Sequence, residues 1–170
     1  MYEFDGVTHV NIYSKSKTKL GRSLSHFSNF SFEINNMKFE NFEGYYFYIL
    51  LKEYFKKFDY KVPKYFTTFL QTYQGSEIRK TVLEFIKINK IKQNELIKIK
   101  NSEIFKSQII QGLKERLKQN KILLQMLKEN DLPFKHYYVY GDKIIDKNDS
   151  FEYIIEFYNK VSKKLKKDLK

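Results

Sequence analysis

The chain has 170 residues, neither cysteine nor tryptophan, and 32 Lys+Arg against 20 Asp+Glu, for a formal net charge of +12. That length suits one domain with a real core and is short for two, so a single domain over residues 1–170 is expected. Disulfides, thiolate metal sites and cysteine nucleophiles are excluded, and His9, His26 and His136 are too scattered for a zinc motif, so neither a metal nor a cofactor is expected.

No stretch approaches the roughly 18 apolar residues of a membrane span. Met1 to Asp5 lacks the basic-then-apolar order of a signal peptide. A soluble, cytoplasmic protein without a membrane partner is therefore expected. The positive charge is spread, with one dense basic tail from Lys160 to Lys170, and favours polyanions such as nucleic acid or phosphorylated ligands. Against that stands the abundance of Lys, Ile, Asn, Phe and Tyr, which an A+T-rich coding sequence yields without any binding role.

Val7 to Tyr13 is β-branched and alternating, which predicts a strand, and the basic, polar Ser14 to Arg22 reads as a loop. Phe30 to Ile34, Asn35-Asn36 and Met37 to Phe39 read as a small hairpin, because Asn tolerates the positive φ of a primed turn. From Asn41 to about Lys57, Phe42, Tyr45, Tyr46, Ile49, Leu50 and Phe58 recur at helical spacing and predict a buried face. Asn41 is a good N-cap there, which puts Glu43 in the first turn, where the helix dipole favours an anion.

Pro63 starts a helix to about Thr72, Gln74 to Ser76 break it, and Ser76 caps a helix from Glu77 to about Asn89. Residues 91–101 read as a short helix or loop. One long helix is predicted from Ser102 to Glu129, with Ile109, Ile110, Leu113, Leu117, Leu123, Leu124 and Leu127 buried, stopped by Asn130 to Pro133. His136 to Tyr140 is a strand, Gly141-Asp142 a turn towards Lys143 to Ile145, and Ser150 the cap of a last helix, Phe151 to about Leu169, with Ile154, Ile155, Phe157, Tyr158, Val161 and Leu165 inside. The fold class is α+β, mainly helical, with small antiparallel strands.

GxGxxG, GxxxxGK[ST] and GxSxG motifs are absent, so dinucleotide-fold, phosphate-loop and nucleophile-elbow chemistries have no support. What remains is a carboxylate among aromatics, hydroxyls and basic residues. That is the equipment for cleaving glycosidic bonds through an oxocarbenium-like transition state.

The order Tyr13-Ser14-Lys15, Gly21-Arg22-Ser23-Leu24-Ser25-His26-Phe27, Ser31-Phe32, Phe39 and Phe42-Glu43-Gly44-Tyr45-Tyr46 resembles the NADAR (YbiA-like) family. Members carry "YS…G…LSNF…PF…W…VEH" with the same distance from the LSNF serine to the glutamate, and a phage-borne branch, with "GRxLSNF" and "VEG", looks closer still. Lys114 to Asn120 is similar to the family's lysine and "QN" helix segment, and Leu132 to Gly141 to that branch's C-terminal strand. The chain departs from the family pattern at His26, where most members have Asn, at Gly44, where many have His, and in the missing "D..WG" segment.

The resemblance implies a YbiA-like fold that binds ADP-ribose-type ligands. It also implies removal of ADP-ribose from guanine bases in DNA, reversing DarT-type toxin modification as a phage anti-defence factor or antitoxin, in the host cytoplasm if phage-encoded. Glu43 takes the family's catalytic position. Ser25, His26 and Phe27 are expected at the ribose, Tyr45 or Tyr46 as stacking rings, and Lys15 and Arg22 at the pyrophosphate. Lys114, His136 and Tyr138 complete the expected ligand contacts, His136 also as an acid. Structural roles compete for most of these: solvent exposure for the lysines and Arg22, core packing for the rings, a plain strand position for His136. Two other functions compete, an N-glycosidase acting on riboflavin-pathway intermediates and a non-catalytic binder of ADP-ribose, NAD or nucleic acid. The sequence names no protein partner.

Overall fold

The computed structural model describes residues 2–141, 143–146 and 148–167. After a 3-10 turn at Tyr2–Phe4 come β1 (Val10–Asn11), α1 (Lys19–Leu24), β2 (Phe32–Ile34) and β3 (Met37–Phe39). Helices α2 (Phe42–Lys56), α3 (Lys64–Thr72), α4 (Gly75–Ile88), α5 (Gln93–Asn101), α6 (Glu103–Gln119) and α7 (Lys121–Glu129) follow. The chain continues through β4 (Phe134–Lys135), β5 (Tyr137–Tyr140), β6 (Lys143–Asp146) and α8 (Asn148–Lys167). The fold is α+β with helix dominant. β2–β3 and β5–β6 are antiparallel, whereas β1 and β4 pair parallel. The chain gathers into two compact units, Asn29–Gln119 and Met1–Ser28 with Asn120–Lys170.

The Asn29–Gln119 unit is built around α2, which packs against α3, α4, α5 and α6. A helix with neighbours on every side has to be apolar all round. Accordingly Phe47 and Leu51 are buried along with the predicted Phe42, Tyr45, Tyr46, Ile49 and Leu50. The hairpin forms as expected, with Asn35 at φ 52° and Asn36 at φ 60°. It lays Phe32 and Phe39 against Phe42 and Tyr45, with ring centroids 5.4 to 6.0 Å apart.

Phe58 is a correction. α2 ends at Lys56, the chain turns through Asp59 at φ 56°, and Phe58 is 55% exposed. Residues 91–101 resolve into α5, and α4 starts at Gly75, which puts Ser76 inside its first turn and not at its cap.

The predicted long helix is two. Asn120, at φ −116° and ψ 85°, leaves the helical region and its carbonyl accepts from the N–H groups of Leu123 and Leu124, which starts α7. Asparagine competes with the helix for backbone hydrogen bonds. The preceding Gln119 is also drawn sideways, its amide exchanging two hydrogen bonds of 2.7 Å with the backbone of Glu33 in β2.

In the other unit, the predicted strand from Val7 to Tyr13 shrinks to β1, because Gly6 N–H donates to His9 O in a turn that leaves Val7 67% exposed. The predicted loop at 14–22 contains α1. Thr18 caps it, its hydroxyl accepting from Gly21 N–H at 2.9 Å, and Leu20 and Leu24 bury one face. Asp5 ties the preceding segment down by accepting from Asn11 N, Ser16 Oγ and Lys17 N. α7 and α8 pack together, with Ser162 Oγ donating to Leu127 O. α8 is already helical at Asn148, so the predicted cap Ser150 lies within the helix; Asp142 of the predicted turn, and residues 168–170 of the basic tail, lie outside the described residues.

His9 is 1% exposed, with Nε2 2.9 Å from the Tyr137 hydroxyl and Nδ1 3.0 Å from Thr8 Oγ1. Burial lowers its pKa, Lys135 and the chain's amino terminus lower it further, and Asp5 opposes them. The unfolded chain therefore binds this proton more readily than the folded one. Stability is complete above the unfolded value of about 6.5 and falls as pH drops from there towards the lowered folded value. Thermal melts between pH 7.5 and pH 5 are expected to show that fall, and His9→Gln, although less stable throughout, is expected to flatten it.

Candidate functional site

Glu43 owes its place to the residues around it. Asn41, extended at φ −149°, accepts from Gly44 N–H with its Oδ1 at 3.1 Å and donates from Nδ2 to Tyr73 O at 2.6 Å. The cap is thus supplied by Asn41, and Glu43 follows in the first turn. A carboxylate placed there only to complement the dipole would be solvated, yet Glu43 is 5% exposed.

Burial of an acid beside a helix N-terminus requires a polar setting. The same unit buries a cation that the sequence reading missed. Arg116 on α6 is 0% exposed, its guanidinium 5.9 Å from the Phe30 ring centroid and 5.8 Å from that of Phe42, the residue before Glu43. Its signal was present, because position 116 falls on the buried stripe of α6 with Ile109, Gly112 and Leu113. A charged residue on an apolar stripe is the informative exception to burial statistics.

Tyr45 does not offer a ring for stacking on a ligand. It is 2% exposed, packs on Phe32, Phe39 and Phe42, and donates its hydroxyl to Gln108 O at 2.8 Å. Burial, reinforced by the neighbouring Tyr48, pushes its pKa well above the ordinary tyrosine value. Gly112 makes room for it, since a Cβ there would strike the Tyr45 ring. Tyr45→Phe is expected to lose about 1 kcal/mol in chemical denaturation, the ordinary worth of one such hydrogen bond. Tyr46 is also buried, edge-on to Phe47 and Phe105. Lys114 is exposed on α6.

The remaining expected residues belong to the other unit. Lys15 is exposed; Arg22, also exposed, turns back to donate from Nη1 to Ser16 O at 2.7 Å and Lys17 O at 2.9 Å, stapling the turn before α1. Ser25 is buried at the C-cap of α1, its hydroxyl accepting from Phe27 N–H at 3.3 Å.

His26, His136 and Tyr138 are brought together by a ring outside the sequence-derived set, Phe151 of α8. It lies 5.7 Å from His26 and 4.7 Å from His136, which in turn meets Tyr138 at 4.9 Å. His136 Nδ1 lies 2.8 Å from Ile12 O. A carbonyl can only accept, so Nδ1 carries the proton in this contact, and Nε2 is buried.

A cavity of about 280 Å³ in the same unit is lined by Phe134, Lys135, Tyr137, Asp146, Glu152, Ile155 and Glu156. It contains none of the sequence-derived site residues, and its carboxylates would repel a pyrophosphate. Among the described residues, no group of three or more His, Asp or Glu could hold a metal ion, and no helix is long and apolar enough to cross a membrane. No family model, curated protein or solved structure matches the chain.

Proposed function

We propose that the protein is an ADP-ribosyl glycohydrolase that removes ADP-ribose from guanine bases in DNA and so reverses DarT-type modification, with Glu43 as its catalytic carboxylate. The observation that carries this reading is the burial of Glu43 in the first turn of α2, where Asn41 already supplies the cap. The resemblance of the segment from Tyr13 to Tyr46 to the NADAR family supplies the substrate class.

In this mechanism the bond from ribose C1 to the exocyclic guanine nitrogen breaks and positive charge builds on the ribose. The fixed carboxylate offsets that charge, water adds to C1, and the nitrogen leaves with a proton. Glu43 is the residue that the resemblance places in this step; Ser25, His26 and Phe27 are candidate ribose contacts and His136 a candidate acid. The test is incubation of the protein with DNA carrying ADP-ribosylated guanine, with free ADP-ribose measured by chromatography. Release of ADP-ribose and restoration of unmodified guanine are expected; no release above a protein-free control would sink the proposal.

A further inference from the structure

From the last residue of α2 to the second of α3 the chain reads Lys56-Lys57-Phe58-Asp59-Tyr60-Lys61-Val62-Pro63-Lys64-Tyr65, with rings interleaved among cations. Phe58 is 55% exposed, and Tyr60 and Tyr65 each 71%. Lys56, Lys61 and Lys64 are exposed too, whereas Lys57 is engaged by Glu95 at 2.9 Å. Three large rings in water within eight residues cost hydration free energy that α2 and α3 would recover by turning them inward.

The exposed rings are nonetheless rooted. Phe58 meets Tyr54 at 5.4 Å, Tyr65 meets Phe66 at 6.2 Å, and Tyr60 N–H donates to Phe55 O at 3.1 Å. Phe55 and Phe66 both pack on Phe85, Phe66 stacked at 3.9 Å. A ring held by its base loses little freedom when a second ring lies on it.

We infer that this surface, with Phe58, Tyr60 and Tyr65 as stacking platforms and Lys56, Lys61 and Lys64 as phosphate contacts, binds single-stranded DNA. Exposed aromatics interleaved with cations are what strand binding without sequence preference requires: bases stack on the rings while the cations follow the backbone. A duplex keeps its base faces covered and would use the charges alone. The contrast within this chain is α8, where Lys160, Lys163, Lys164 and Lys167 form an exposed stripe at helical spacing, with no large apolar side chain exposed on that helix among the described residues. That stripe supplies charge without rings. The inference does not depend on Glu43, and unmodified DNA tests it separately.

Fluorescence anisotropy with labelled oligothymidylate is expected to show binding with a salt slope of about −2, the value for three lysine–phosphate contacts on a single strand. Tyr60→Ala and Tyr65→Ala are each expected to weaken binding about 5-fold or more, as loss of one stacked base does. Tyr60→Phe and Tyr65→Phe, which keep the ring, are expected to bind as wild type does. The triple variant Lys56→Gln, Lys61→Gln, Lys64→Gln is expected to flatten the salt slope, and a quadruple Lys→Gln variant at 160, 163, 164 and 167 to leave binding unchanged. Equal affinity for duplex DNA, wild-type affinity in the Ala variants, loss of binding in the α8 variant, or preference for phosphatidylserine vesicles would each overturn the inference.

Discussion

Glu43→Gln is expected to slow single-turnover release of ADP-ribose by about 10³-fold or more, with little change in fold. The substitution keeps the volume and two hydrogen-bonding atoms of the side chain and removes only its charge. Deleting one preorganised neutral donor from a polar transition state costs roughly 10²–10³ in rate. A full charge next to a developing cation is worth at least the upper end of that range, particularly for a side chain only 5% exposed, where water screens it little. The Asn41 cap on Gly44 N–H stays in place and the amide can still hydrogen-bond, so the variant is expected to fold. Because the charge it loses is buried, its melting temperature in circular dichroism is expected to fall while its far-UV spectrum stays that of wild type. Equal rates for the two proteins would remove Glu43 from the mechanism. A variant that does not fold would point to a structural carboxylate, an ion-pair or hydrogen-bond anchor, as the reason Glu43 is buried.

How far the fold was legible follows from how local each determinant is. The Asn35-Asn36 turn and the Asn41 cap act within four residues, and both appear where the sequence places them. The apolar stripe of α2 is also local, and failed only at Phe58, beyond the end of the helix. α1 was missed because its apolar content is two leucines among basic and polar residues, and the feature that starts it is one Thr18 hydroxyl. The pairing of Val10 with Phe134 joins segments far apart in the chain, which periodicity within either segment cannot reveal. The break at Asn120 was hidden for a related reason: the leucine spacing runs straight across it, while Gln119 is engaged by β2.

The candidate site divides along the same line. Glu43 in the first turn was readable, but its burial was not, because a solvated and a buried first-turn acid share one local sequence. Tyr45 misled for the opposite reason. An aromatic beside the glutamate suggests a stacking ring until the hydrogen bond to Gln108 and the packing of Gly112 place it in the core. The grouping of His26, His136 and Tyr138 around Phe151 draws on three separated segments and is a property of the fold alone.

Gly44→Ala is expected to destabilise the protein by about 2–3 kcal/mol, against the usual sign for such a change in a helix. In the interior of a helix, alanine is worth about 1 kcal/mol over glycine. At position 44, however, an added Cβ would strike the backbone carbonyl oxygen of Leu70, with Ile78 Cδ1 3.3 Å away. A carbonyl cannot rotate aside as a side chain can, and Leu70 is itself 0% exposed, so α3 would have to move bodily from α2. Overpacking of a well-filled core costs typically 1–3 kcal/mol and occasionally more, and contact with backbone belongs at the high end, which outweighs the propensity gain. For a chain of this size the loss corresponds to roughly 5–10 °C in melting temperature. The close approach of α2 and α3 leaves no room for a side chain at 44. Calorimetry on Gly44→Ala and Gly44→His decides the matter: both are expected to melt below wild type, the histidine variant lower, and an alanine variant as stable as wild type would show that α2 and α3 do not meet so closely.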